Sequence, residues 1–236
     1  MPPFLGSPIF DASGVSSASG LQTTTLAESW SHPGGTGPNN CGIVTVTETN
    51  NGSASGVPTG TPTCTWGGQS IPYLGSILLG NIAIGGFIAV FAALNVPQGA
   101  QTINTSIVDS GQNFGNAFGE SYTYFNVGAI GALQTAFGTN GVTSLNAITV
   151  PSGPGHTVWG ICSNYVSGSY TSLSFTSRQS QGASAPAFAS GDQPGSSNVN
   201  FNATAGGPQA WAVAALDLLP ALPNNNIGQA VQAALR

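Results

Sequence analysis

Short runs of Val, Ile, Thr, Tyr, Phe and Trp are broken at close intervals by clusters of Gly, Pro and Asn, and this punctuation limits the fold more than any other feature. Such runs are too short for most helices and read as strands of an all-β sandwich or barrel. Strands are expected near 26–31, 42–49, 62–66, 69–74, 86–94, 100–108, 120–127, 144–150, 157–165, 169–176, 184–189, 197–204 and 210–219. Several alternate by side. In Ile43-Val44-Thr45-Val46-Thr47-Glu48 the valines share one face and Ile43, Thr45 and Thr47 the other. In Val199-Asn200-Phe201-Asn202-Ala203 the Val and Phe are expected inward and the two Asn outward. The pattern predicts half-buried sheets packed face to face. Connections are expected at 32–40, 50–61, 109–119, 151–156 and 190–196, where residues tolerant of positive φ or able to cap turns collect. No internal repeat of fixed period is visible. Only the tail reads as a helix, over 223–236, with an Asn cap and Ile227, Val231 and Leu235 on one face.

Charge narrows the chemistry. Of 236 residues, two are Arg, none is Lys, and seven are Asp or Glu. Without lysine there is no Schiff base and no Walker A loop. Arg178 and Arg236 are too few to neutralise the phosphates on which nucleic-acid affinity depends, so no nucleic-acid partner is expected. The hydrophobic fraction of 40% argues against disorder despite 34 Gly and 16 Pro. A formal charge of −5 spread this thinly repels neighbouring copies weakly, so self-association is tolerated. The start, MPPFLGSPIFDASG, has neither a basic region nor a continuous apolar core and does not read as a secretory signal. The apolar stretch Ile77 to Leu94 reaches the minimum length for a membrane span, but three glycines and Asn81 interrupt it and no Lys or Arg flanks it. It reads as two buried strands joined through Asn81 to Gly86.

The titratable inventory is His32, His156 and the acids Asp11, Glu28, Glu48, Asp109, Glu120, Asp192 and Asp217. No nucleophile elbow, zincin helix or dinucleotide fingerprint occurs, and neither His has a metal-ligand partner at close spacing. No catalytic residue, cofactor or metal is expected. Glu28 and Glu120 are the acids within expected strands beside aromatics, and a solvated sheet face accounts for both. Trp30, Trp66, Tyr122 and Tyr124 are candidate glycan-stacking residues, because amphipathic rings among Asn and Gln amides suit a sugar; core packing accounts for them equally well. Cys41 and Cys64 are a candidate disulfide across neighbouring strands, set against the reading of Cys41, Cys64 and Cys162 as small buried apolar residues. The sequons at Asn51, Asn104 and Asn202 are expected by chance in a chain so rich in Asn, Ser and Thr.

Several segments, in order, resemble the β-rich minor tail proteins of tailed phages infecting mycobacteria and related actinobacteria. They are Trp30-Ser31-His32 with the Asn39-Asn40 turn and Val44-Thr45-Val46; Thr65-Trp66-Gly67-Gly68-Gln69; Leu94 through Thr102; Glu120-Ser121-Tyr122-Thr123-Tyr124; Gly191 through Gly195 with Val199-Asn200-Phe201; and Trp211-Ala212-Val213 leading into Leu218-Leu219-Pro220. Together they cover roughly residues 26–220. The near absence of charge and the apolar Ile77–Leu94 stretch depart from the usual pattern. The resemblance implies a structural module of the virion, in or near the tail tip, assembled in several copies and with no catalytic residues to carry over. The expected molecule is a single antiparallel β-sandwich of jelly-roll type over 26–222, with an extended N-terminal arm over 1–25 and the helix over 223–236. It is expected to be a non-enzymatic virion component made in the host cytoplasm. Its expected partners are itself, as a homo-oligomer with a trimer favoured, and other tail proteins, with the host-envelope glycan a further candidate and no membrane span. The alternatives are a carbohydrate-binding adhesion module, a capsid decoration protein and, third, a depolymerase acting through Glu28 or Glu120.

Overall fold

A computed structural model describes residues 6–16, 25–50, 58, 60–80, 85–108, 114–139 and 145–222. The helix expected over 223–236 lies outside the described residues. The described chain is all-β and its strands pair antiparallel throughout.

The first eight strands to be placed are β1 (Ile9–Val15), β2 (Thr25–His32), β3 (Cys41–Asn50), β4 (Thr63–Trp66), β5 (Gln69–Ser70), β6 (Tyr73–Leu78), β7 (Gly86–Leu94) and β8 (Gln101–Val108). They are followed by β9 (Phe114–Phe125), β10 (Val127–Ile130), β11 (Gln134–Gly138), β12 (Leu145–Pro151), β13 (Thr157–Asn164), β14 (Thr176–Gln181), β15 (Ala187–Pro194), β16 (Asn198–Thr204) and β17 (Trp211–Pro220). Up to Phe125 the chain builds two sheets: an inner one in the order β1-β9-β3-β7-β6 and an outer one in the order β2-β8-β4-β5. After Asn126 it builds two more: an inner sheet β10-β17-β13-β15-β14, with β11 also on β17, and an outer pair β12-β16.

Four sheets stand where a two-sheet sandwich was expected, and three apolar layers hold them. Leu26, Trp30, Val44, Val46, Trp66 and Ile103 fill the first outer core. Ile43, Tyr122, Tyr124, Trp159, Ile161 and Leu216 fill the seam between the two inner sheets. Val150, Val158, Cys162, Phe201, Val213 and Ala215 fill the second outer core. The side assignments made from alternation hold: Val44 and Val46 point to the first outer core and Ile43 to the seam. What differs is that the second face is covered too. The physical reason lies in β7, where Phe87 through Ala92 form an unbroken apolar run that no water-facing side could tolerate.

Of the Ile77–Leu94 stretch, Gly86 to Leu94 is the buried strand β7 as expected, whereas Ile77 and Leu78 are only the end of β6, a half-buried strand that begins at Tyr73 and pairs antiparallel with β7. Residues 81–84 of the expected joint lie outside the described residues. Among the described residues no helix is long and apolar enough to cross a membrane. The turn from β4 to β5 uses Gly67 (φ 55) and Gly68 (φ 85), two successive left-handed residues that match the twist of a tight hairpin. Part of the expected arm is a strand of the molecule's own sheet, since β1 pairs with β9 from Ile9↔Phe125 to Val15↔Glu120. The strand expected at 169–176 is absent; one bridge, Thr171 to Thr204, stands there, and β14 begins at Thr176. The connections expected at 109–119 and 190–196 are in part strand, since β9 begins at Phe114 and β15 runs to Pro194.

Candidate functional site

The polar chemistry of this chain collects at the seam and its rims. On β9, alternation places Glu120, Tyr122 and Tyr124 on the face toward the second unit, the sheets built after Asn126, the first unit being those built up to Phe125. Ser190 and Asp192 of β15 meet them. The Tyr122 hydroxyl donates to Glu120 Oε2, and Ser190 Oγ donates to the same oxygen at 2.9 Å. Burial pushes the Glu120 carboxyl up to about 7, although the hydroxyls of Tyr122, Ser190 and Thr45 act in the opposite direction. Burial first, and then the neighbouring Glu120 charge, raise the Tyr122 phenol well above its ordinary value.

One step along the seam, the Tyr124 hydroxyl donates to Asp192 Oδ2 at 2.7 Å. Arg178, on β14, holds the same carboxylate with two bonds, from Nε at 2.6 Å and from Nη2 at 3.0 Å. Its guanidinium lies 4.2 Å from the centre of the Phe10 ring, so the cation is shared between a carboxylate and an aromatic face of β1. Gln179 Nε2 donates to Ser13 Oγ at 2.9 Å, and Thr157 Oγ1 to the Pro8 carbonyl at 2.9 Å. The β1 segment therefore ties the two units at one edge.

The two histidines sit in different settings. His32 is fully buried beside Trp66, ring centres 4.5 Å apart. Its Nε2 faces the Gly34 carbonyl at 2.9 Å and must donate there, so Nδ1 accepts from Ser121 Oγ at 2.9 Å. Trp30 Nε1 donates to the same hydroxyl at 3.0 Å. Burial lowers His32 to about 4, which keeps it neutral. This Ser–His contact has a carbonyl instead of a carboxylate as its third member and no path to solvent; it is an interior tie. His156 Nδ1 and Ser152 Oγ each reach Asp217, at 2.6 Å on separate oxygens. The carboxylate stands between them, whereas a hydrolytic triad needs the imidazole in the middle.

The candidate residues read from sequence are distributed as follows. Trp30, Trp66, Tyr122 and Tyr124 are all interior, Trp30 at 7% exposure and the other three at 0%, so none offers a ring face to a sugar. Cys41, Cys64 and Cys162 are free thiols. Cys41 lies in the seam and Cys64 in the first outer core, on opposite sides of the first inner sheet, which rules out the candidate disulfide. Burial pushes the thiols of Cys41 and Cys64 up to about 12 and raises Cys162 as well, so they behave as apolar filler. Glu28, on β2 of the first outer sheet, and Glu120, on β9, lie on opposite sides of the first inner sheet. Glu28 accepts from Ser16 Oγ at 2.9 Å on the outer-core side, and burial raises its carboxyl too. A solvated sheet face, the reading from sequence, does not describe either acid. Among the described residues no group of three or more His, Cys, Asp or Glu is placed to hold a metal.

Two openings lie on the seam's rim. A groove of about 460 Å³ is lined by Val15, Ser16, Gln179 and Gln181 with Phe118 and Phe188 at its base. A smaller one, about 260 Å³, includes Phe10, His156, Arg178 and Asp192. The first carries no ionisable group. Sequence reasoning missed both, because each is assembled from strands of both units. No family model, no curated protein and no solved structure matches the chain.

Proposed function

We propose that this chain is a non-enzymatic structural protein of a phage virion, a minor tail or tail-tip component that assembles through subunit contacts. The observation that carries the reading is the placement of charge. Among the described residues, Glu48, Glu120, Asp192, Asp217 and His32 are buried, Glu28, His156 and Arg178 are half-buried, and Asp11 alone is an exposed charged side chain. A surface of hydroxyls, amides and small apolar groups can be covered by neighbours with little cost for stripping water from ions. The ordered segments that resemble actinobacteriophage minor tail proteins support the same reading, with the virion tail as its location and itself and other tail proteins as partners.

The pair of sheets built up to Phe125 is read as a jelly roll. In support, the chain crosses between the outer and inner sheet at β2–β3, β3–β4, β5–β6, β7–β8 and β8–β9, wrapping one core. The helix over 223–236 belongs to the same proposal as an added docking element.

One observation favours a second reading, a glycan-binding adhesion module: the neutral groove of Gln179, Gln181 and Ser16 over Phe118 suits an uncharged polyhydroxylated ligand better than the interior tryptophans do. Light scattering across a concentration series, at low and at 1 M NaCl, separates the two. The assembly reading predicts a defined oligomer, a trimer or larger ring, whose mass is unchanged by salt. A monomer at every concentration whose tryptophan fluorescence shifts with host-envelope glycans would overturn it in favour of adhesion.

A further inference from the structure

The two halves of the chain follow one plan. In the first inner sheet the central strand β3 lies between β9 and β7, with Gly42 opposite Thr123 and Ala93. In the second, β13 lies between β17 and β15, with Gly160 opposite Ala215 and Gly191. Cys41-Gly42-Ile43-Val44 and Trp159-Gly160-Ile161-Cys162 occupy the same positions, with both isoleucines in the seam. Both glycines back onto an outer core where a Cβ would not fit: at Gly42 it would stand 2.8 Å from Val96, and at Gly160 2.9 Å from Phe201. In the outer sheets, Thr102-Ile103-Asn104 follows Gly99 and pairs Ile103 with Trp30, while Asn198-Val199-Asn200 follows Gly195 and pairs Val199 with Val150. The bridge from Thr171 to Thr204 on β16 stands where the β4–β5 hairpin stands on β8.

The seam is reciprocal. Edge strand β6 of the first unit lies against β11 and β17 of the second, and edge strand β14 of the second lies against β1 of the first. β6 and β14 are equivalent edges, outside β7 and β15; β1 and β10–β11 are equivalent edges, outside β9 and β17. Element i meeting j while j meets i is the mark of a two-fold, isologous contact. The described ends agree: the Ala221 amide donates to the Asn126 carbonyl at 2.8 Å, and Gly6 lies beside the Asn126 side chain, so start, joint and end meet near one point.

We propose that the chain is a tandem pair of copies of one sandwich unit, residues 6–125 and 127–222, and that the inner sheet face of this unit is a self-recognition surface whose occupant is a second copy, supplied here in the same chain. An inner sheet bearing Ile43 and Tyr122, or Ile161 and Leu216, on its far side needs a cover, and each unit is the other's cover. The molecule then presents two equivalent uncharged faces pointing away from each other, one with Thr102 and Asn104, the other with Asn198 and Asn200. The inference stands independently of the virion reading.

The test is a circular permutant that keeps every residue but reverses the units, running from 127 to 236 and then from 1 to 126. The expected product has the native β-sheet circular dichroism and oligomeric mass and melts within about 4 °C of the native order. A control permutant opened at Gly60 uses the same junction of 236 to 1. If the control folds and the reversed chain does not, the proposal is overturned. A second measurement on the native-order chain decides the matter if neither permutant folds: the reaction rate of the buried thiols with a maleimide. Ile161→Ala, on the seam face of the second unit, should speed labelling of Cys41 across the seam by about tenfold or more, and by more than it speeds Cys64 in the first outer core, with Ile161→Val giving the same order at smaller amplitude. An unchanged rate at Cys41 would overturn the proposal.

Discussion

At Glu120 and His32, burial works in opposite directions on stability. Glu120 is held more protonated in the folded state than its ordinary value of 4.5 would give. Its contribution is complete below about 4.5 and is lost as pH rises through about 7. His32 is held neutral, so its contribution is complete above 6.5 and is lost as pH falls through about 4. The two slopes cancel in between, and a stability plateau between about pH 4.5 and 6.5 is expected from this pair. Urea unfolding of Glu120→Gln should lose the plateau: its stability should rise with pH between about 4.5 and 6.5 and not fall between 6.5 and 7, so that the two profiles diverge by an amount on the order of 3 kcal/mol from pH 4.5 to 7; a profile parallel to that of the unmodified chain would refute the assignment. At this scale the sequence was partly legible. The alternation of Tyr122-Thr123-Tyr124 shows that both rings share a face, and it cannot show whether that face is open, because the cover comes from Trp159, Ile161 and Leu216 far along the chain. The candidate stacking residues were misplaced for that reason.

Among the elements, strands with long alternating or wholly apolar runs were legible, and β7 falls on the residues expected, Gly86 to Leu94. The strands missed, β1, β10, β11 and all of β14 beyond Thr176, are short and owe their form to a waiting edge on β9, β17 or β15. β1 shows what such an edge strand contributes. Deleting residues 1–16 removes Phe10 from Arg178 and Ser13 from Gln179 and leaves the β9 edge open. Thermal melting should fall by several degrees, with aggregation on heating, as expected for an uncovered edge; an unchanged melting point would contradict the role given to β1. The central glycines make a matched pair. Gly42→Ala and Gly160→Ala each press a methyl into a filled core and should each cost about 1–3 kcal/mol in urea unfolding. A neutral outcome at either would show that its outer core can yield.

For the whole molecule, the duplication stayed hidden in the sequence because its spacing drifts. The offset is 118 residues between Gly42 and Gly160 but 92 between Tyr122 and Ala214, their inner-sheet equivalents, since the second unit is shorter in its connections. No fixed period survives that shrinkage. A shared seam core makes the two units depend on each other, so thermal unfolding should be one cooperative transition, with Trp159→Ala lowering it as a whole by about 3–5 kcal/mol; two separate transitions in calorimetry would show that the units stand alone. The near absence of exposed charge belongs to the same scale. It fits a protein covered by neighbours through contacts that salt does not weaken. Immunogold electron microscopy of purified phage particles, with antibodies raised against this chain, tests the virion assignment most directly. Label concentrated at the tail is the predicted result, and unlabelled particles with the protein left in the soluble fraction would contradict it.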